Sequence, residues 1–73
     1  MSVLGVKLKS LRSQQNIKQV DVAKFLNIQT RTIRFYESGE REPSLDTIIA
    51  LADFFDVSLD FLTGRSDNPE INK

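Results

Sequence analysis

The chain has 73 residues, with 10 Lys or Arg and 10 Asp or Glu, so its formal net charge is zero. It contains neither Cys nor His, which excludes disulfides, thiolate or imidazole metal sites and Cys–His or Ser–His nucleophiles. About 60% of the unfolded surface can be buried at this size, which is sufficient for one small core. We therefore expect neither an enzyme nor a protein that depends on a cofactor or a metal.

The zero net charge conceals an uneven distribution along the chain. Residues 1–36 carry seven positive side chains and one negative, whereas residues 37–73 carry three positive and nine negative. Such asymmetry indicates a nucleic-acid or membrane partner; the alternative is chance variation among solvated helix faces. No apolar segment is long enough for a membrane span or a signal peptide. The sequence therefore predicts a cytoplasmic protein without membrane contact.

Apolar residues at helical spacing predict five short helices. These cover about residues 3–15, 19–26, 29–37 and 45–55 and, for the last, from Leu59 to near Gly64. Ser44 and Ser58 are favourable N-caps for the fourth and fifth helices. The inward-facing positions on this pattern are Leu4, Leu8, Leu11, Val22, Ala23, Leu26, Ile33, Tyr36, Leu45, Ile48, Leu51, Ala52, Phe55, Leu59 and Leu62.

Only two or three residues separate the second and third helices. A link this short makes the two helices cross steeply, as in a helix-turn-helix; the alternative is a plain helical bundle with an accidental short turn. Residues 66–73 are polar and contain Pro69, which predicts a disordered tail. The folded domain is accordingly predicted over residues 1–65.

Five blocks of sequence carry a resemblance to a known family. They are LKSLR at 8–12, IKQVDVA at 17–23, RTIRFYESG at 31–39, PSL at 43–45 and VSLDFL at 57–62. In this order they resemble the phage repressor and Cro family of transcriptional regulators, also called Xre-type. The resemblance implies an all-α, lambda-repressor-like domain whose third helix enters the major groove. It further implies a sequence-specific repressor that binds a near-palindromic double-stranded operator as a homodimer, with no small-molecule ligand evident.

The resemblance also implies roles for individual residues. The predicted base-reading residues are Thr30, Arg31, Arg34 and Phe35. The predicted phosphate contacts are Gln19, Gln29, Ser38 and Arg41. Arg12 and Glu37 match a charge pair between the first helix and the end of the third. Arginine suits this surface because it can bind guanine O6 and N7 or a phosphate. The alternatives are plain surface charge for the arginines, a helix cap for Gln19 and a shielding role for Phe35.

The chain departs from the family pattern at several helix ends. Lys18 and Gln29 stand where Ser or Thr commonly caps a helix, a loss of about 1 kcal/mol per helix start. A cation is also poorly placed at position 18 unless a phosphate lies there. Asn16, Asn27 and Asp56 replace the frequent Gly, and we expect these residue types to adopt the left-handed conformation.

Phe54 and Phe61 are predicted to form an exposed aromatic pair that serves as the homodimer contact. The alternative is that one of them only covers the small core. The same aromatic surface supports a second hypothesis for the function, a protein-interaction module such as an antitoxin or an anti-repressor partner. The segment RTIRFYE at 31–37 also resembles the recognition helix of MerR-type regulators. A complete helix precedes it here and no β wing or coiled coil is predicted after it, which disfavours that fold.

Overall fold

Five α-helices follow one another in the computed structural model, which describes residues 3–65 and residue 68. They are α1 (Val3–Gln14), α2 (Gln19–Leu26), α3 (Thr30–Ser38), α4 (Leu45–Phe55) and α5 (Leu59–Leu62). The predicted all-α fold of five short helices is confirmed, with differences of one residue at the end of α1 and at both ends of α3. Helix α5 ends at Leu62 rather than near Gly64. The predicted tail, residues 66–73, lies outside the described residues apart from Asn68.

Each of the five helices contributes to one core. Helices α1 and α2 both pack against α3, and α5 packs against α1 and α4. None of the described helices is both long and apolar enough to cross a membrane. The buried apolar side chains are Leu4, Leu8, Leu11, Val22, Ala23, Ile33, Leu51, Ala52, Phe55, Val57 and Leu62.

Two of the predicted core positions are wrong. Leu45 is 67% exposed and Leu59 is 39% exposed. Each is the first residue of its helix. The helical period assigns such a residue to the inward side, but only packing decides whether another helix covers it. Leu45 is left largely uncovered, whereas Leu59 is partly covered in a groove that it forms with Ile49 of α4.

The three polar residues at helix ends adopt the predicted left-handed conformation. Asn16, Asn27 and Asp56 have φ angles of 57°, 58° and 57°. Asn27 ends α2, and the N–H of the next residue, Ile28, donates to the carbonyl of Ala23 at 3.0 Å. Residues 27–29 then lead directly into α3. The left-handed residue therefore reverses the chain within the short turn that sets α3 across α2.

The position of α3 also depends on a close approach of two backbones at Gly5. A Cβ atom at Gly5 would lie 2.5 Å from the carbonyl oxygen of Glu37 and 2.6 Å from that of Tyr36. These are backbone atoms, which cannot rotate away from a clash. Only glycine therefore lets α1 lie directly against the C-terminal part of α3.

Candidate nucleic-acid interface

Helix α3 presents opposite faces to the core and to solvent. Ile33 is fully buried and Glu37 is 8% exposed, so these two residues mark the inward side. Arg31 and Arg34 are both exposed. Thr30, at the start of the helix, is partly buried. The predicted arrangement of two arginines on the solvent side of the recognition helix is therefore present.

Phe35 organises the loop that follows α3. The guanidinium carbon of Arg41 lies 5.2 Å from the centroid of the Phe35 ring, in a cation–π contact. The backbone N–H of Arg41 also donates to the Phe35 carbonyl at 3.3 Å. Ser38 Oγ donates to the same carbonyl at 3.1 Å and accepts from the N–H of Glu40 at 3.4 Å. Phe35 thus holds Arg41 beside α3.

Arg12 and Glu37 form a two-pronged ion pair between α1 and the end of α3. Arg12 Nε donates to Glu37 Oε2 at 2.7 Å, and Arg12 Nη2 donates to Oε1 at 3.1 Å. Arg12 Nη1 also donates to the carbonyl of Ile17 at 3.1 Å. The two side chains are only 17% and 6% exposed. Because the pair is largely removed from water, separating it would leave a buried charge, and it therefore constrains how α3 lies on α1.

Gln19, the first residue of α2, joins this pair. Its amide nitrogen donates to Glu37 Oε1 at 3.1 Å. An amide nitrogen carries two hydrogens, so one N–H remains that could donate to an anionic oxygen such as that of a phosphate. The network of Arg12, Glu37 and Gln19 links α1, α2 and α3. The link from Gln19 to Glu37 was missed at the sequence level because the residues are 18 positions apart and no local spacing connects them.

The two helices of the turn begin without a side-chain cap, as expected. Lys18 precedes α2 and Gln29 precedes α3, and neither side chain accepts a hydrogen bond from its helix. Asp21 Oδ2 accepts from the backbone N–H of Lys18 at 3.4 Å, and this bond partly replaces the missing side-chain cap at the start of α2. Gln29 is exposed. The start of α3 therefore has no side-chain cap, and the N–H of Thr32 donates to the Gln29 carbonyl at 3.0 Å.

An open cleft of about 930 Å³ lies between α1, the start of α2 and the second half of α3. The exposed cations Lys9, Lys18 and Arg34 line it. The buried pair of Arg12 and Glu37 also contributes to its wall. Lys9 was missed by the sequence reasoning, because it is one of two lysines on α1 and nothing local distinguishes it from the other.

The predicted exposed pair of Phe54 and Phe61 is wrong as regards exposure. Both side chains are partly buried and pack against the core. The Phe54 ring centroid lies 4.7 Å from that of Phe25 and 5.0 Å from that of Phe55. The ammonium nitrogen of Lys7 lies 4.1 Å from the Phe61 ring centroid. Phe25 on α2 packs on the outer side of Phe54 and is itself 53% exposed. The helical period alone leaves Phe54 on the surface, and the packing of α2 covers it.

Two short helices that cross after a three-residue turn, the second with an exposed basic face, define a helix-turn-helix domain. Residues 8–62 match the family model described as "Helix-turn-helix". The chain therefore belongs to the Xre-type helix-turn-helix family, in agreement with the sequence resemblance. The relatives it matches are named as transcriptional regulators, not as enzymes.

Individual relatives agree with this assignment. The chain is 33% identical to the HTH-type transcriptional regulator ImmR of Bacillus subtilis over 70 residues, which cover 96% of this chain and 55% of that protein. It is 31% identical to the cryptic phage CTXphi transcriptional repressor RstR of Vibrio cholerae, over 84% of this chain and 55% of that protein. The chain thus spans about half the length of these relatives.

A solved structure shows the same fold. The crystal structure of a transcriptional regulator from Listeria innocua superimposes with a TM-score of 0.80 at 38% sequence identity. The match covers 84% of this chain and 57% of that one. The lambda-repressor-like arrangement of the five helices is therefore confirmed.

Proposed function

We propose that residues 1–65 form the operator-binding domain of a transcriptional repressor. The domain binds double-stranded DNA as a homodimer and inserts α3 into the major groove of a near-palindromic site. Among the relatives described above, RstR is named a repressor, which supports repression over activation. Membership of a family of regulators favours DNA binding over the alternative of a protein-interaction module.

The observation that supports this proposal most directly is that α3 is buried on one side and exposes a basic surface on the other. The helix is anchored by Ile33 and Glu37 on its inner side and leaves Arg31 exposed near its beginning. In helix-turn-helix proteins the first residues of the second helix reach the base edges. Thr30 and Arg31 are therefore the proposed base-reading residues. Arg31 suits guanine O6 and N7, and Thr30 suits a base edge or a thymine methyl group.

Phosphate contacts on this proposal flank the recognition helix on both sides. The free amide hydrogen of Gln19 and the uncapped helix start at Gln29 lie before it, and Ser38 and Arg41 lie after it. Phe35 supports Arg41 through the cation–π contact at 5.2 Å, and its ring edge is available for a thymine methyl group. Half or more of protein–DNA hydrogen bonds go to the backbone, which sets the register of the bound helix.

The homodimer contact is proposed on α4 and α5. Phe54 contributes less than predicted because Phe25 packs against it. Leu45, Ile49 and Leu59 are 67%, 39% and 39% exposed, and the last two line one shallow groove between α4 and α5. Phe61 lies beside Lys7 of α1 and is not among the residues that line this groove. The proposed apolar surface on which a second copy can pack therefore consists of Leu45, Ile49 and Leu59. A two-fold dimer would place the two α3 helices about 34 Å apart, one turn of DNA.

Binding-site selection from random duplex DNA tests the proposed function. We expect the wild-type chain to select a near-palindrome. The change Arg31→Gln should abolish the preference at one symmetric base pair, a loss of about 1–3 kcal/mol of discrimination. Lys24→Gln is the control, because it removes an exposed cation from the last turn of α2. Absence of any preferred sequence in the wild type would overturn the proposal.

Sedimentation equilibrium tests the dimer separately. Ile49→Glu should shift the protein to monomer. The control is Val20→Glu, since Val20 on α2 is 40% exposed against 39% for Ile49. If both variants retain the wild-type mass, or if both lose it, the α4–α5 surface is not the dimer contact.

A further inference from the structure

We propose that the cleft between α1 and α3 binds the phosphodiester backbone of one DNA strand through Lys9, Lys18 and Arg34. Arg34 is on this proposal a phosphate contact that sets affinity, and not a base-reading residue. The inference rests on the proposed DNA binding and deepens it, since it adds Lys9 and Lys18 to the contact surface and changes the role of Arg34.

The charge of the cleft is the first argument. Lys9, Lys18 and Arg34 are exposed and line the same cleft. Within the part of the chain that the structure describes, none of the three side chains forms an ion pair with a carboxylate. Glu37 is the only acidic residue among the described lining residues. Its carboxylate already accepts from Arg12 and Gln19. The cleft therefore presents uncompensated positive charge, which attracts a polyanion.

The polar groups around these cations suit a phosphate chain. Ser10 and Ser13 also line the cleft, and hydroxyl groups are common donors to phosphate oxygens. Ser38 lines it too, but its hydroxyl already donates to the Phe35 carbonyl. Together with Lys9 on the same helix and Arg34 on α3, Ser10 and Ser13 provide donors on two walls of the cleft rather than at a single point. This matches an extended backbone better than an isolated small anion.

The position of Arg34 separates it from Arg31. Arg34 lies one helical turn further along α3, on the wall that α3 shares with α1. Arg31 is not among the residues that line the cleft. Base edges are read by the first residues of a recognition helix, so the two arginines face different parts of the duplex. Arg31 faces the groove floor, and Arg34 faces the strand that borders it.

The residue at position 18 fits the same assignment. Lys18 provides no side-chain cap to α2, and a cation beside a helix N-terminus is unfavourable in the free protein. A bound phosphate reverses this, because it pairs with the ammonium group and with the positive end of the helix. A phosphate bound in the adjacent, positively charged cleft therefore explains why a lysine stands at this helix start.

Salt-dependent binding of the whole chain tests the proposal. Lys9→Gln, Lys18→Gln and Arg34→Gln are compared with wild type on the selected duplex and on an unrelated duplex, from 50 to 200 mM KCl. We expect each change to weaken binding to both duplexes by a similar factor. Each should also reduce the slope of log K against log salt by about 0.9. The preferred sequence should remain the same. Lys24→Gln is the charge-matched control and should leave both slopes unchanged.

The outcomes separate this inference from the proposed function. If Arg34→Gln changes the selected sequence while affinity for the unrelated duplex is preserved, Arg34 reads bases and the assignment is overturned. If all three variants keep the wild-type slope, the cleft does not bind the backbone, although the proposed function stands. If the wild type selects no sequence, the proposed function fails, and parallel slope losses on unrelated DNA would still support the cleft. Thermal unfolding by circular dichroism verifies that each variant is folded.

Discussion

The helices that are proposed to contact DNA begin differently from those that lie behind them. At the starts of α2 and α3, Lys18 and Gln29 contribute no side-chain cap. At the starts of α4 and α5, serine hydroxyls do: Ser44 Oγ accepts from the N–H of Thr47 at 3.3 Å, and Ser58 Oγ accepts from that of Phe61 at 3.0 Å. The more favourable local chemistry thus lies in the half of the molecule away from the basic face.

The charge in the first helical turn of α3 differs in the same direction, whereas α2 has Asp21 in its first turn, as α4 and α5 have an aspartate in theirs. Asp46 and Asp60 occupy the first turns of α4 and α5, where a carboxylate stabilises the helix dipole. No acidic residue is present in the first turn of α3. A carboxylate there would repel the phosphates that the proposed interface must approach. At the start of α3, local helix stability is thus reduced where the proposed ligand requires free N–H groups and the absence of negative charge.

Helices α1, α2 and α3, which carry most of the positive charge and are called the basic half below, are instead held together by contacts between helices. Arg12, Glu37 and Gln19 connect three helices through hydrogen bonds of 2.7–3.1 Å, and Gly5 lets two backbones touch. The acidic half depends more on caps within each helix. Substitutions in the basic half should therefore have the larger effects on stability, and those at caps the smaller.

The largest effect is expected for Arg12→Leu. Removing one partner of a buried ion pair costs about 3–5 kcal/mol, a large share of the roughly 4–11 kcal/mol expected for a domain of this size. Urea unfolding followed by circular dichroism measures the loss. The double variant Arg12→Leu with Glu37→Leu should recover part of it, because no unpaired charge remains. A loss below about 1 kcal/mol would mean that the pair acts as an exposed one.

Gly5→Ala should lower the free energy of unfolding by about 1–3 kcal/mol, since its Cβ would meet two carbonyl oxygens. The sign is decisive, because alanine at an unhindered helix position is more stable than glycine by about 1 kcal/mol. Ser10→Ala, at an exposed position of the same helix, is the control and should change stability little. A stabilised Gly5→Ala variant would show that α1 does not need to approach α3 so closely.

The smallest effects come from exchanging the two types of helix start. Ser44→Ala should cost about 1 kcal/mol and leave DNA affinity unchanged. Lys18→Ser should raise stability by up to about 1 kcal/mol while it weakens DNA binding and lowers its salt dependence. Thermal melts and salt titrations on the selected duplex measure both quantities. If Lys18→Ser improved both stability and DNA affinity, the proposal that Lys18 lowers helix stability in exchange for phosphate binding would be wrong.

Much of the fold could be predicted from local patterns. The spacing of Leu4, Leu8 and Leu11 predicts the inward side of α1, and all three are buried. The left-handed conformations of Asn16 and Asn27 follow from residue type at a helix end. These predictions hold because the helical period and the capping preferences depend on a few neighbouring residues only.

The failures of sequence reasoning concern residues whose surroundings come from distant segments. Leu45 has the spacing of a core residue but no neighbour covers it. Phe54 has the spacing of a surface residue but Phe25, from another helix, packs on it. Periodicity gives the direction of a side chain and contains no information about what lies there.

The amino-acid sequence determined the helices, the short turn between α2 and α3, the uneven charge and the family. The tertiary structure decided which groups meet: Gln19 with Glu37, Arg41 with Phe35, and Lys9 with Lys18 and Arg34 around one cleft. The physical reason is range. Backbone conformation and amphipathic faces depend on neighbours within a few residues, whereas a binding surface depends on groups that are brought together only when the helices pack.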